Sequence, residues 1–171
     1  MGKLKLVFPR LEHEDIVMDY KKEFIENNDS MDGTAGLRDA QTFKEWYDAL
    51  LDNKSEETVR EGLVPATTYL AIDNNELIGM IDIRHRLNDY LLNFGGHIGY
   101  SVRKSKRKQG YATEMLKLAL KECKTLEIEK VLITCDKDNI ASSKTIINNG
   151  GNLENEIIKD KRITQRYWIN I

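Results

Sequence analysis

The segment from Ile98 to Leu120, IGYSVRKSKRKQGYATEMLKLAL, changes character twice along its length. Ile98-Gly99-Tyr100-Ser101-Val102 is a short apolar run and predicts a buried strand. A basic loop follows, Arg103 to Gln109. Gly110 then opens a run with apolar residues at Tyr111, Ala112, Met115, Leu116, Ala119, Leu120 and Cys123, the spacing of an amphipathic helix. A strand, a glycine-bearing basic loop and a helix together present free backbone N–H groups and positive charge to an anion. Gly110 lets the backbone pass close to a ligand, and the helix start adds a partial positive charge. Arg103, Lys104, Lys106, Arg107 and Lys108 crowd the approach. A pyrophosphate suits such a site; a solvated connecting loop has the same composition. The GxxxxGKS/T and GxGxxG patterns are both absent, which excludes the common nucleotide loops.

Working outward, Lys130 to Cys135 is a β-branched strand. Asn139 to Asn148 predicts a short helix stopped by Gly150-Gly151. Leu153–Ile158 and Arg162–Ile171 predict two last strands around the tight turn Lys159-Asp160-Lys161. Upstream, Thr67–Ile72 and Leu77–His85 flank the turn Asp73-Asn74-Asn75 as a hairpin. Arg86 to Phe94 reads as a polar connection prolonging that second strand to Gly95-Gly96. Lys3–Phe8 predicts a first strand. Helices are expected over about His13–Glu26 and Ala40–Leu51, joined by a loop at Met31–Arg38. The expected fold is α/β (α+β): one domain over residues 1–171, with a mixed, mostly antiparallel sheet of about seven strands flanked by helices.

Composition narrows the function classes. The chain has 171 residues, enough for a sizeable core, with 32% charged and 40% apolar residues. Lys plus Arg (26) nearly balances Asp plus Glu (28), and aromatic residues do not interleave the basic loop, so nucleic acid is not the expected partner. No run reaches transmembrane length and no signal-peptide core opens the chain. Cys123 and Cys135 lack metal-type spacing and read as core residues, which points to a reducing cytoplasm. No HExxH occurs, and no metal is expected.

Arg107-Lys108-Gln109-Gly110-Tyr111-Ala112 matches R/Q-x-x-G-x-G/A. In that motif, its place after the fourth strand and the order of elements, the chain resembles the GNAT N-acetyltransferase superfamily. The resemblance implies acetyl-CoA as acetyl donor and direct transfer to a primary amine of a small molecule or peptide. It places the pyrophosphate on the amides of Arg107, Lys108, Gln109, Gly110, Tyr111, Ala112 and Thr113. It runs the pantetheine arm beside Ser101, Val102 and Arg103, with a backbone N–H near Val102 for the oxyanion. Asn139 and Ser142 match the family's N-x-x-A/S segment, where the Asn contacts CoA; Asn139 also suits an N-cap. Many relatives pair as homodimers.

Two positions bear on catalysis. His97 stands where some relatives carry a catalytic Glu, and a histidine near its reference pKa suits the general-base role; a strand-entry histidine beside Gly95-Gly96 is the other reading. Ile146 stands where many relatives carry a Tyr that protonates the departing thiolate. That departure keeps a second function open: a non-catalytic CoA-binding sensor or partner-binding module on the same fold. Asp82, Arg84, His85 and Arg86 form a polar patch that either lines a cleft or puts Arg84 and Arg86 on an exposed face and His85 inward.

Overall fold

A computed structural model describes residues 2–171. In chain order the elements are β1 (Lys5–Val7), α1 (Glu14–Glu26), α2 (Phe43–Asp52), β2 (Ala66–Asp73), β3 (Glu76–Arg84), β4 (Ile98–Val102), α3 (Tyr111–Thr125), β5 (Lys130–Asp136), α4 (Ile140–Asn148), β6 (Asn152–Lys159) and β7 (Arg162–Asn170). The seven strands form two sheets, ordered β1-β2-β3-β4 and β5-β7-β6, and the pairings within each are antiparallel.

Local chemistry sets most boundaries. Thr42 caps α2 by accepting the Glu45 N–H at 3.1 Å, so the helix starts two or three residues later than apolar spacing predicts. The β2–β3 turn is made by Asn74 and Asn75 at φ 49° and 64°, the left-handed pair of a two-residue hairpin. Asp160 and Lys161 repeat that geometry between β6 and β7, at φ 48° and 68°.

The first sheet has a core on each face. Val17, Tyr20, Phe24, Phe43, Trp46 and Leu50 from α1 and α2 pack with Leu70, Leu77 and Met80. Met115, Leu116, Ala119 and Cys123 of α3 pack with Ala71, Ile78, Ile81 and Ile83 on the other face. Strict alternation does not allow Ile78 and Ile81 to share a face. The β2–β3 register shifts between Ala71 and Ile72, leaving Ile78 as the bulged residue, and this resets the parity. Each fully buried side chain of this size contributes roughly 1.5–3 kcal/mol.

One expected element is different. Arg86–Phe94 does not prolong β3. The chain turns after Arg84 into a short π-helical stretch, Leu91–Gly95, begun by the Asn88 side chain accepting the Leu91 N–H at 2.9 Å. Arg166 Nε donates to Leu92 O (2.9 Å) and Thr134 Oγ1 to Phe94 O (2.7 Å), tying this connection to the second sheet.

Candidate active site

β4 and β5 meet at their starts and separate at their ends. His97 closes the start: its N–H donates to Leu132 O (2.7 Å), and its Nδ1 accepts the Leu132 N–H (2.9 Å). Beyond this point a cavity of about 790 Å³ opens, lined by Tyr100, Ser101 and Val102 on one side and by Thr134, Cys135 and Asp136 on the other. Asn139 and Ser142 of the α4 start and Ala112 of α3 also face it.

The edge of β4 is free here. Arg84 N–H bonds His97 O and Arg103 N–H bonds Ile78 O, and the intervening register is constant. Gly99, Ser101 and Arg103 therefore point their backbone groups at β3, while Ile98, Tyr100 and Val102 point theirs at the cleft. No bulge disturbs this parity between Ile98 and Val102. The expected pantetheine partners differ in where their backbone groups point. Val102 keeps its cleft-facing N–H, but the backbone groups of Ser101 and Arg103 belong to the sheet, and Tyr100 supplies the other free pair. The Ser101 side chain is also engaged, donating to Asp32 O at 2.6 Å beside the Tyr20 hydroxyl. Val102 O accepts Arg107 Nε at 3.0 Å.

The loop after β4 offers donors from its backbone rather than from its side chains. Among the described residues, the N–H groups of Lys108, Gln109, Gly110, Tyr111, Ala112 and Thr113 find no protein acceptor; the first helical bond is Glu114 N–H to Gly110 O. Gly110 holds φ 83°, which glycine adopts without strain, and a Cβ there would meet open space. The cations that crowd the loop in sequence are mostly paired with acidic residues, and Arg107 with its partner Asp29 lines the cleft. Arg103 is buried and pairs with Asp19 (3.0 Å) and Glu23 (3.3 Å) of α1. Lys104 donates to Asn27 Oδ1 (2.9 Å), Lys106 pairs with Glu76 (2.7 Å) and Arg107 with Asp29 (3.1 Å). Lys108 alone of the five has no such partner among the described residues. Gln109 Nε2 donates to Ser105 O (3.2 Å), and the Tyr111 hydroxyl is sent into the core to Asp73 (2.8 Å), so both offer the cleft only backbone.

Asn139 takes the cap role: its Oδ1 accepts the Ser142 N–H at 3.1 Å while the residue lines the cleft. The Ser142 hydroxyl lies 2.8 Å from the Tyr100 hydroxyl. Burial pushes the Tyr100 phenol up to about 12, so it stays protonated at neutral pH and can donate to Ser142 Oγ. Ile146 is fully buried in the α3-side core and does not line the cleft. Tyr100 is a site residue that the sequence reading does not name as one; strand alternation puts it on the face opposite Ser101. Cys135, read as a core residue, borders the cleft; burial pushes its thiol up to about 11.

The expected general-base position of His97 is engaged in the structure. It is 6% exposed and absent from the cleft lining, and its acceptor nitrogen is filled by Leu132. Burial first, then the Arg84 charge, lower its pKa to about 4. Its role is to bolt the two sheets together. The third-strand patch divides. His85 turns in to Thr67 Oγ1 (2.8 Å), and Arg86 pairs outside with Glu56 (2.5 Å). Arg84 enters the cleft, held by the buried Asp82 (2.9 Å). The Met31–Arg38 loop contributes Asp32 and Gly33 to the cleft; Gly33, at φ 71°, lies against Gly99, where a Cβ would fall 2.2 Å from Gly99 O.

Comparison with known proteins agrees with this architecture. The acetyltransferase (GNAT) domain family model matches residues 4–152. The chain is similar to an acetyltransferase from Salmonella typhimurium that modifies the N-terminal serine of a 50S ribosomal subunit protein, with 18% identity, 100% of this chain and 96% of that one covered, and a TM-score of 0.69. A microcin self-immunity acetyltransferase solved with acetyl-CoA and AMP gives 18% identity, 100% and 94% coverage, and a TM-score of 0.66. RimJ of Mycobacterium smegmatis, solved with CoA-disulfide, gives 17% identity, 99% and 82% coverage, and a TM-score of 0.71. No match was found among curated proteins.

Proposed function

The chain belongs to the GNAT acetyltransferase family, and from that premise we propose that it transfers an acetyl group from acetyl-CoA directly to a primary amine of a small molecule or peptide. The observation that carries this reading is the meeting, in one cleft, of a free β4 edge with a run of unpartnered N–H groups at the α3 start. These residues fit the donor: a strand edge suits the amide-bearing arm, and a helix start suits the pyrophosphate. Acetyl-CoA, when bound, supplies the acetyl group as a thioester whose thiol leaves readily near neutral pH.

The chain's own residues do the rest. Lys108 to Thr113 hold the phosphates through backbone N–H groups. The backbone of Tyr100 and Val102 aligns the arm, and the Val102 N–H faces the position where negative charge develops. Ser142, held by Tyr100, is an O–H at the α4 side of the cleft that can hydrogen-bond the leaving thiolate, which takes up the proton the amine gives up as the amide forms. Asn139 lines the cofactor side, and His97 keeps the starts of β4 and β5 together. We place the protein in a reducing cytoplasm, where the buried thiols of Cys123 and Cys135 stay free.

The test is calorimetric titration with acetyl-CoA together with thiol release in the presence of an amine panel. Saturable binding with amine-dependent thiol release is expected. Binding without release from any amine favours the non-catalytic CoA-binding module; absence of binding overturns both.

A further inference from the structure

The floor of the cleft, one turn of strand before Val102, carries a second set of donors. Gly99 has no side chain, and the position its Cβ would occupy lies 3.2 Å from Arg84 Nη2, 3.3 Å from Arg84 Nη1 and 3.4 Å from Gly33 N. All three residues line the cavity. Arg84 does not hang free. Its Nε pairs with Asp82 Oδ2 (2.9 Å), its Nη1 donates to Gly95 O (3.2 Å), and Asp82 is fixed in turn by the Thr68 hydroxyl (2.9 Å). Nη2 is left without an acceptor among the described residues. The N–H of Gly33 is likewise unpartnered, although Gly33 is buried. Buried backbone donors are almost always satisfied, so an unpaired one beside a fixed guanidinium marks a place for an acceptor atom.

Resting on the acetyltransferase reading, we infer that the amine acceptor also carries a carboxylate, bound from the cleft side by Arg84 Nη2 and the Gly33 N–H beside Gly99. A guanidinium held on one edge by Asp82 presents its other edge to a second carboxylate, and the planar fork suits that group better than it suits a neutral amide. The substrate class is therefore an amino acid or short peptide with a free carboxylate, rather than a polyamine.

Matched probes test this: glycylglycine against glycylglycinamide, β-alanine against propylamine, and spermidine. Thiol release from acetyl-CoA is measured with each, and the first pair is also titrated calorimetrically into CoA-saturated protein. The carboxylate member is expected to be favoured by about ten- to hundred-fold in kcat/KM, through KM, as suits charge-assisted hydrogen bonds. Gly99→Ala puts a methyl group against Arg84 Nη1, Nη2 and the Gly33 N–H, pushes the guanidinium off its place and is expected to erase that preference while acetyl-CoA still binds. Equal use of both members, or preference for spermidine, overturns the carboxylate site and leaves the acetyltransferase reading standing. If no amine supports thiol release, the calorimetric pair decides: tighter binding of glycylglycine, lost in Gly99→Ala, supports the site, and equal binding overturns it.

Discussion

The two ends of β4 are held in opposite ways. At the start, His97 gives Leu132 both a donor and an acceptor, and the two sheets are joined as tightly as neighbouring strands. At the end, Val102 turns its N–H to the cleft, and its carbonyl is met by Arg107 rather than by β5. The comparison shows how a sheet is opened without being lost: a side chain closes one end so that the other can stay unpaired.

Removing the open end's donor has the largest expected effect. In Val102→Pro the missing N–H is one the sheet does not use, so the fold is retained. Thiol release is expected to fall by roughly 10²–10³, as when an oxyanion donor is deleted. A fall of less than about threefold would remove Val102 from the mechanism.

The closed end answers in stability. His97→Ala leaves the Leu132 N–H unsatisfied beside a small cavity, and urea unfolding is expected to show a loss of about 2–4 kcal/mol. The wild-type protein carries a matching pH signature. With a folded pKa near 4 against 6.5 unfolded, the unfolded chain binds more protons between those values. The His97 contribution, on the order of 3 kcal/mol, is complete above about pH 6.5 and is lost as pH falls toward 4. His97→Ala is expected to flatten that slope. If the substitution instead spares stability and shifts the pH–rate profile, His97 is a base after all.

Smaller effects sharpen the contrast on the cleft side. Gly110→Ala forces a left-handed residue at φ 83° and is expected to weaken acetyl-CoA binding by about 1–2 kcal/mol, read by calorimetry. Tyr100→Phe removes the partner of Ser142, and a few-fold fall in kcat at unchanged acetyl-CoA affinity is expected, less than about 1 kcal/mol. A fall in affinity instead would assign Tyr100 to binding.

The legible parts of the site were those fixed by local chemistry. Gly110 before an amphipathic run, Asn139 as a cap and the Asn74-Asn75 turn each depend on a few adjacent residues. What was misread depended on distant partners. The cations after β4 look like an anion trap until α1 supplies Asp19 and Glu23. His97 looks like a base until Leu132, on another sheet, fills its acceptor nitrogen. The polar run after β3 has neither strand nor helix periodicity, and its helical turn is tied down by Arg166 and Thr134 of the distant second sheet. Arg84 was balanced between surface and cleft, and its bonds to Asp82 and to Gly95 O turn it into the cleft.

The matched left-handed turns at Asn74-Asn75 and Asp160-Lys161 carry a kinetic consequence. Each joins strands adjacent in sequence, and hairpins of that kind close within microseconds. The bond between His97 and Leu132 has to close a much longer loop and is expected to form after the barrier to folding. Its loss is then expected to speed unfolding while leaving the refolding rate almost untouched, so that His97 governs how long the folded molecule lasts rather than how fast it appears.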